Sequence, residues 1–128
     1  LCLDVYHEET KDGTKLLAYN CNNNGPGQLF LFHDDGKLHS KLDENKCVRP
    51  IRDKLRKKNK LELYSCEDTF TKFEYQCHKK DGKHCIIRAH KGSESLCLEV
   101  DDKRNSRSYF LHLNECKCSR ENQLWRIP

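Results

Sequence analysis

Apolar positions alternate in three short stretches that each run into a cysteine: Leu16 and Ala18 before Cys21, Leu61 and Leu63 before Cys66, Leu111 and Leu113 before Cys116. Alternation with period 2 marks a strand with one buried face, because successive side chains point to opposite sides of a sheet. The apolar set predicts the core face, and the other face carries the cysteine and the residue two before it, Tyr19, Tyr64 and Asn114. Three further strands are predicted around LCLDV (1–5), KCVRP (46–50) and LCLEV (96–100). Apolar positions at helical spacing are absent, and Gly, Asn and Asp punctuate the chain, so the pattern predicts an all-β fold.

The stretches belong to a repeat. Cys2 and Cys21, Cys47 and Cys66, and Cys97 and Cys116 are each 19 positions apart. Beyond each second cysteine stands a triplet with an aromatic, Gln28-Leu29-Phe30, Thr71-Lys72-Phe73 and Gln123-Leu124-Trp125, and between repeats lie the related segments DDGKLHS (34–40) and KDGKHC (80–85). The period is 45 and then 50 positions, giving units of about 1–45, 46–95 and 96–128 within one expected domain. Three copies of a unit with about four short strands point to a β-trefoil. Four strands are expected in each of the first two units and three in the last; the twelfth is expected before Leu1 in a longer parent chain, or from some other source.

Internal symmetry selects the bridges Cys2–Cys21, Cys47–Cys66 and Cys97–Cys116. In CHKKDGKHC (77–85), a Cys77–Cys85 bridge across a hairpin turn at Asp81-Gly82 is the simpler reading, with zinc on Cys77, His78, His84 and Cys85 as the alternative. Cys118 is then the odd thiol, either free, paired with the missing N-terminal segment or linked to another chain, and an exchange of roles between Cys116 and Cys118 stays open. Composition fits such stapling: 35% of residues are hydrophobic and 34% charged, so the core is lean. Each 19-residue loop contributes about 3 kcal/mol in the chain-entropy account. Nine cysteines point to an oxidising compartment, secreted or at the cell surface. No apolar run approaches the roughly 20 residues of a membrane span, so direct membrane insertion is not expected. A chain starting at Leu1 with a cysteine at position 2 reads as processed or excised.

The cysteine-framed units with LCLDV, Gln28-Leu29-Phe30 and Asn122-Gln123-Leu124-Trp125 resemble the ricin B-chain type (R-type) lectin family along essentially the whole chain. The segment LYSCEDTFTKFEYQC is also similar to the cysteine-rich domain of mannose-receptor-type proteins. The resemblance implies a trefoil that binds carbohydrate, with an acid on the first strand and an aromatic on the second holding galactose or N-acetylgalactosamine.

If the bridged cysteines face each other across an antiparallel pair, Asp4 lies opposite Tyr19, Arg49 opposite Tyr64 and Glu99 opposite Asn114. A carboxylate beside a ring suits a sugar, since the acid accepts from two hydroxyls while the ring stacks on the apolar face of the pyranose. The expected carbohydrate site is therefore Asp4 and Tyr19, with Asn22, Asn23 and Asn24 on the next loop and Gln28; Gly27 departs from the Asn usual before this Gln in sugar-binding repeats of the family. Glu99, Asn122 and Gln123 form a secondary candidate without a ring, and repeat 2 has Arg49 in place of the acid. Gln28, Phe30, Phe73, Gln123 and Trp125 also read as core residues.

Residues 52–60, RDKLRKKNK, hold six basic residues in nine: Arg52, Lys54, Arg56, Lys57, Lys58 and Lys60. Such a cluster is either a solvated loop or a site for sulfated or phosphorylated glycans, acidic membrane surfaces or nucleic acid. Nucleic acid is not expected, because stacking aromatics are not interleaved with the basic residues. The net charge of +4 is modest. There is no G-x-S-x-G, no H-E-x-x-H and no phosphate-binding glycine loop, so neither enzymatic activity nor a cofactor or metal is expected. The expected partners are glycans and other domains of a parent protein. The alternative function is a trefoil that has lost sugar binding and serves as a protein-interaction or structural module.

Overall fold

In the computed structural model, the chain is described over residues 1–23, 25–78, 80, 82–105 and 108–127, with backbone alone for 102–105 and 108. Among these, an 11-stranded network runs as β1 Cys2–Val5, β2 Thr14–Tyr19, β3 Phe30–Phe32, β4 Leu38–Ser40, β5 Lys46–Pro50, β6 Leu61–Ser65, β7 Lys72–Cys77, β8 His84–Lys91, β9 Glu94–Asn105, β10 Ser108–Asn114 and β11 Trp125–Arg126. The division into four, four and three strands is the one the repeats predict.

Each repeat opens with an antiparallel hairpin, β1–β2, β5–β6 or β9–β10. The second strands of these hairpins meet one another around a pseudo-threefold axis. β2 pairs with β6 through Thr14 and Leu63, and β10 pairs with β2 through Ser108 and Tyr19. The third side closes through Lys58 N to Leu113 O at 2.7 Å and Leu113 N to Asn59 O at 3.0 Å. The strand pairs β4–β5 and β8–β9 join one repeat to the next. This is a β-trefoil.

The inward faces supply the core that period 2 predicts. Ala18, Leu63 and Leu113 are fully buried on the three central strands, and Leu16, Leu61 and Leu111 lie beside them, each at most 5% exposed. Val5, Leu38, Val48, Leu98, Phe73, Ile87, Ala89 and Trp125 complete the cluster, with Phe30 packed at its margin. Trp125 also donates from Nε1 to Leu98 O at 3.2 Å, which satisfies the indole of a ring buried in the last repeat.

All four expected bridges form, Cys2–Cys21, Cys47–Cys66, Cys77–Cys85 and Cys97–Cys116, and Cys118 is a free, exposed cysteine. The Cys77–Cys85 bridge removes the zinc alternative, whose two thiolates are bonded to each other. Of the expected turn, Asp81 lies outside the described residues; Gly82 has φ +63 and donates from its amide to His78 O at 2.8 Å.

The hairpin register differs from the expectation by two positions in every repeat. Cys2 pairs with Tyr19 and Asp4 with Leu17; Arg49 pairs with Glu62, and Glu99 with His112. The bridged cysteines do not face each other, because Cys21, Cys66 and Cys116 lie beyond the ends of β2, β6 and β10. A slip of two residues leaves every side chain on its assigned face and changes only its partner.

Candidate functional site

The outward faces of β1 and β9 carry the same device. A 3-10 turn, Pro26–Gln28 in repeat 1 and Glu121–Gln123 in repeat 3, delivers a glutamine to the acid on the first strand. Gln28 Nε2 donates to Asp4 Oδ2 at 3.0 Å and to Asn20 O at 2.9 Å, while Gln28 Oε1 accepts from Asn22 N at 2.9 Å. Gln123 Nε2 likewise donates to Glu99 Oε1 at 3.0 Å and to Glu115 O at 2.7 Å, and its Oε1 accepts from Lys117 N at 2.8 Å. With both amide atoms engaged, each glutamine holds the acid in one orientation.

The two acids differ in everything else around them. Glu99, 3% exposed, accepts from Gln123, from His112 Nε2 at 2.5 Å, from Asn114 Nδ2 at 3.1 Å and from Arg120 Nη1 at 3.0 Å. Burial alone would raise its carboxyl, but the Asn114, His112, Gln123 and Arg120 donors outweigh it and hold the pKa at about 2. Asp4 is half-buried, and its one described side-chain hydrogen bond is the one from Gln28. Burial pushes its carboxyl up, the Gln28 bond opposes this, the Glu8 carboxylate raises it again and the Val5 amide lowers it; the balance lies above the ordinary 3.8.

Substitution at three equivalent places explains the contrast. Where repeat 3 has His112, Asn114 and Arg120, repeat 1 has Leu17, Tyr19 and Gly25. Leu17, directly across from Asp4, offers no donor. Tyr19 stands on the same face one pair along, diagonal to Asp4 rather than opposite it. Gly25 has no side chain to reach back, and its bareness lets Asn22 Oδ1 accept from Gly25 N at 3.0 Å; a Cβ there would meet that oxygen at 2.5 Å. Asn22 thus uses its side-chain oxygen within the loop. Asn23 is exposed with φ 55, and Asn24 lies outside the described residues.

Glu8 is the neighbour that sequence reasoning missed. A Cβ on Gly27 would lie 3.0 Å from Glu8 Cγ and 3.3 Å from Asp4 Oδ1, so the place of the family's usual asparagine side chain is lined by Glu8. The glycine itself was the available signal, since a missing side chain beside an acid leaves room for another residue. In repeat 3, Asn122 is present but donates to Val100 O at 3.1 Å rather than to Glu99.

Repeat 2 is closed by an ion pair. Arg49, 9% exposed, donates from Nε to Glu62 Oε2 at 2.8 Å and from Nη1 to Asp68 O at 2.8 Å. Its guanidinium lies 3.5 Å from the centroid of the Tyr64 ring, covering the face on which a sugar would stack. His39, Cys47 and Cys66 bring a ring nitrogen and two sulfurs within 4.8 Å of one another, but the sulfurs form a disulfide and offer no thiolate to a metal. Of the basic run, Lys57 pairs with Glu115 at 2.6 Å and Lys60 Nζ lies 4.6 Å over the Phe110 ring.

A trefoil of three cysteine-stapled repeats, with a glutamine-held acid on the outward face of its first strand, defines a lectin-type carbohydrate-binding module. The family model of the ricin-type β-trefoil lectin domain matches residues 1–125, and the chain belongs to this family. No curated protein matches the sequence. Among solved structures, the fold is similar to that of an earthworm lectin C-terminal domain mutant in complex with 6'-sialyllactose, with a TM-score of 0.63 and 13% identity over 96% of this chain and 86% of that one.

Proposed function

We propose that the domain binds a neutral sugar, terminal galactose or N-acetylgalactosamine, at Asp4 in repeat 1. The observation that carries this reading is the unsaturated Asp4 carboxylate, oriented by Gln28 but without the three donors that surround Glu99. A half-buried acid short of donors is relieved when ligand hydroxyls supply them, at about 1.5–3 kcal/mol for a charge-assisted bond. The Tyr19 ring on the same face offers a stacking surface at low entropic cost. Four disulfides fit a secreted or cell-surface setting, in which the domain would serve alone or alongside other domains of a parent protein.

Asp4→Asn tests the site, because the amide oxygen still accepts from Gln28 and the fold is preserved. Titration with galactose and N-acetylgalactosamine glycans is expected to show at least about a tenfold loss of affinity, equivalent to about 1.4 kcal/mol. Unchanged binding would exclude Asp4 as the ligand. One observation favours a second reading, a protein-interaction module: two of the three equivalent positions are sealed by the chain's own side chains. That reading prevails if the folded wild type binds no member of a broad neutral-glycan array.

A further inference from the structure

We infer that the loop 51–60 of repeat 2 forms a second site, independent of Asp4, that recognises sulfated carbohydrate. The loop surrounds a shallow cleft of about 380 Å³ lined by Ile51, Arg52, Lys54, Arg56, Lys57, Lys58 and Asn59, within the roughly 300–1,000 Å³ of small-ligand sites. Its backbone is fixed on both sides. Asn59 Nδ2 donates to Ile51 O at 3.1 Å and to Lys54 O at 2.8 Å, Ile51 N donates to Lys60 O at 2.9 Å, and Lys58 N reaches Leu113 O on β10 at 2.7 Å. Leu55 packs against the core beneath. The cations are thus carried on an ordered frame.

Two of the acids near the loop, Asp53 and Glu62, are engaged by other partners. Asp53, 5% exposed, accepts from Phe70 N at 2.7 Å, Thr71 N at 3.2 Å and Thr71 Oγ1 at 2.7 Å. Glu62 is held by Arg49 and by the Arg52 amide. Lys57 has Glu115 as its partner, so Arg52, Lys54, Arg56 and Lys58 face solvent without an ion pair among the described residues. Four unneutralised cations around one concavity focus a positive potential that an anionic ligand relieves.

Lys58 supplies a separate argument. It holds φ +70, and at the equivalent point of repeat 1, where the amide of Gly13 donates to Leu63 O at 2.8 Å, the chain has a glycine with φ +90. A lysine in left-handed backbone is strained where glycine is not, and such strain collects at ligand-contacting positions. The cleft points to sulfated sugar rather than to nucleic acid because Ile51 is its one apolar lining residue, and the nearby Phe110 ring already carries Lys60.

Affinity for a heparin-type oligosaccharide and for its desulfated form tests the site in the wild type, in Arg52→Gln/Lys54→Gln/Arg56→Gln/Lys58→Gln, and in a charge-matched control, Lys11→Gln/Lys15→Gln/Lys72→Gln/Lys117→Gln. The wild type is expected to bind only the sulfated form. Four phosphate-like contacts imply a fall of roughly fifty-fold between about 50 and 200 mM salt, and the loop variant is expected to lose at least about tenfold while the control stays near wild type. Lys58→Gly is expected to keep the fold and still weaken binding. Equal losses in loop variant and control, or no loss in either, would overturn the site; single-stranded DNA binding as tightly as the sulfated oligosaccharide would overturn the carbohydrate assignment. Neutral-glycan binding by the loop variant should be unchanged, so this site and the Asp4 site succeed or fail separately.

Discussion

Replacing Glu99 with Gln removes the charge on which repeat 3 converges while keeping the side chain's shape. Glu99 has a folded-state pKa of about 2 against an ordinary 4.5. A carboxyl whose pKa is lowered by folding contributes stability that is present above the unfolded value and is lost as pH falls through the folded one. The difference of about 2.5 pH units corresponds to about 3 kcal/mol at neutral pH, gained above about pH 4.5 and vanishing toward pH 2. The substitution leaves the Arg120 guanidinium facing an amide in place of its carboxylate partner. The assay is denaturant unfolding with disulfides intact, followed by the fluorescence of Trp125, the single tryptophan, between about pH 7 and 2. Glu99→Gln should be less stable than wild type by about 2–3 kcal/mol at pH 7, and the difference should shrink steadily below about pH 4.5, with the two curves meeting only toward pH 2. A difference that is the same at pH 7 and pH 2.5 would refute the electrostatic account and reduce the effect to packing.

Two further outcomes concern repeat 1. On the proposed reading, sugar binding requires ionised Asp4, whose pKa is raised above 3.8 by burial and by Glu8, so affinity should fall with acidification at a higher pH than for an ordinary aspartate; calorimetric titration from about pH 7 to 4 would show it, and a flat profile would rule out the carboxylate as acceptor. Leu17→His places in repeat 1 the residue that caps Glu99 in repeat 3, and is expected to lower the Asp4 pKa and abolish sugar binding without unfolding the domain. Carbon-detected NMR titration of Asp4 reads the first effect; retained binding with a lowered pKa would show that the open carboxylate is not what holds the sugar.

The core and the staples were legible from the sequence because both rest on strict offsets. Period 2 assigned Leu16, Ala18, Leu61, Leu63, Leu111 and Leu113 to the interior, and all six are buried. The 19-residue spacing named three bridges that form. The cross-strand partners differ from the sequence expectation because bonded cysteines need not face each other: Cys21 lies beyond β2 and reaches back to Cys2. An error of two residues was invisible to the burial pattern, which registers only odd shifts. Arg120 and Glu8 escaped notice for another reason: each approaches an acid from a loop with no periodicity of its own, through three-dimensional proximity alone.

The internal saturation of Arg49 and Glu99 has a consequence for valency. A trefoil with three open repeats would offer three contacts to a multivalent ligand. On the proposed reading, in which repeat 1 alone is open, each molecule would present one neutral-sugar contact. A ligand bearing many identical sugars would then gain no avidity from a single copy, and clustering would require tethered copies or a contact of different chemistry on the same surface.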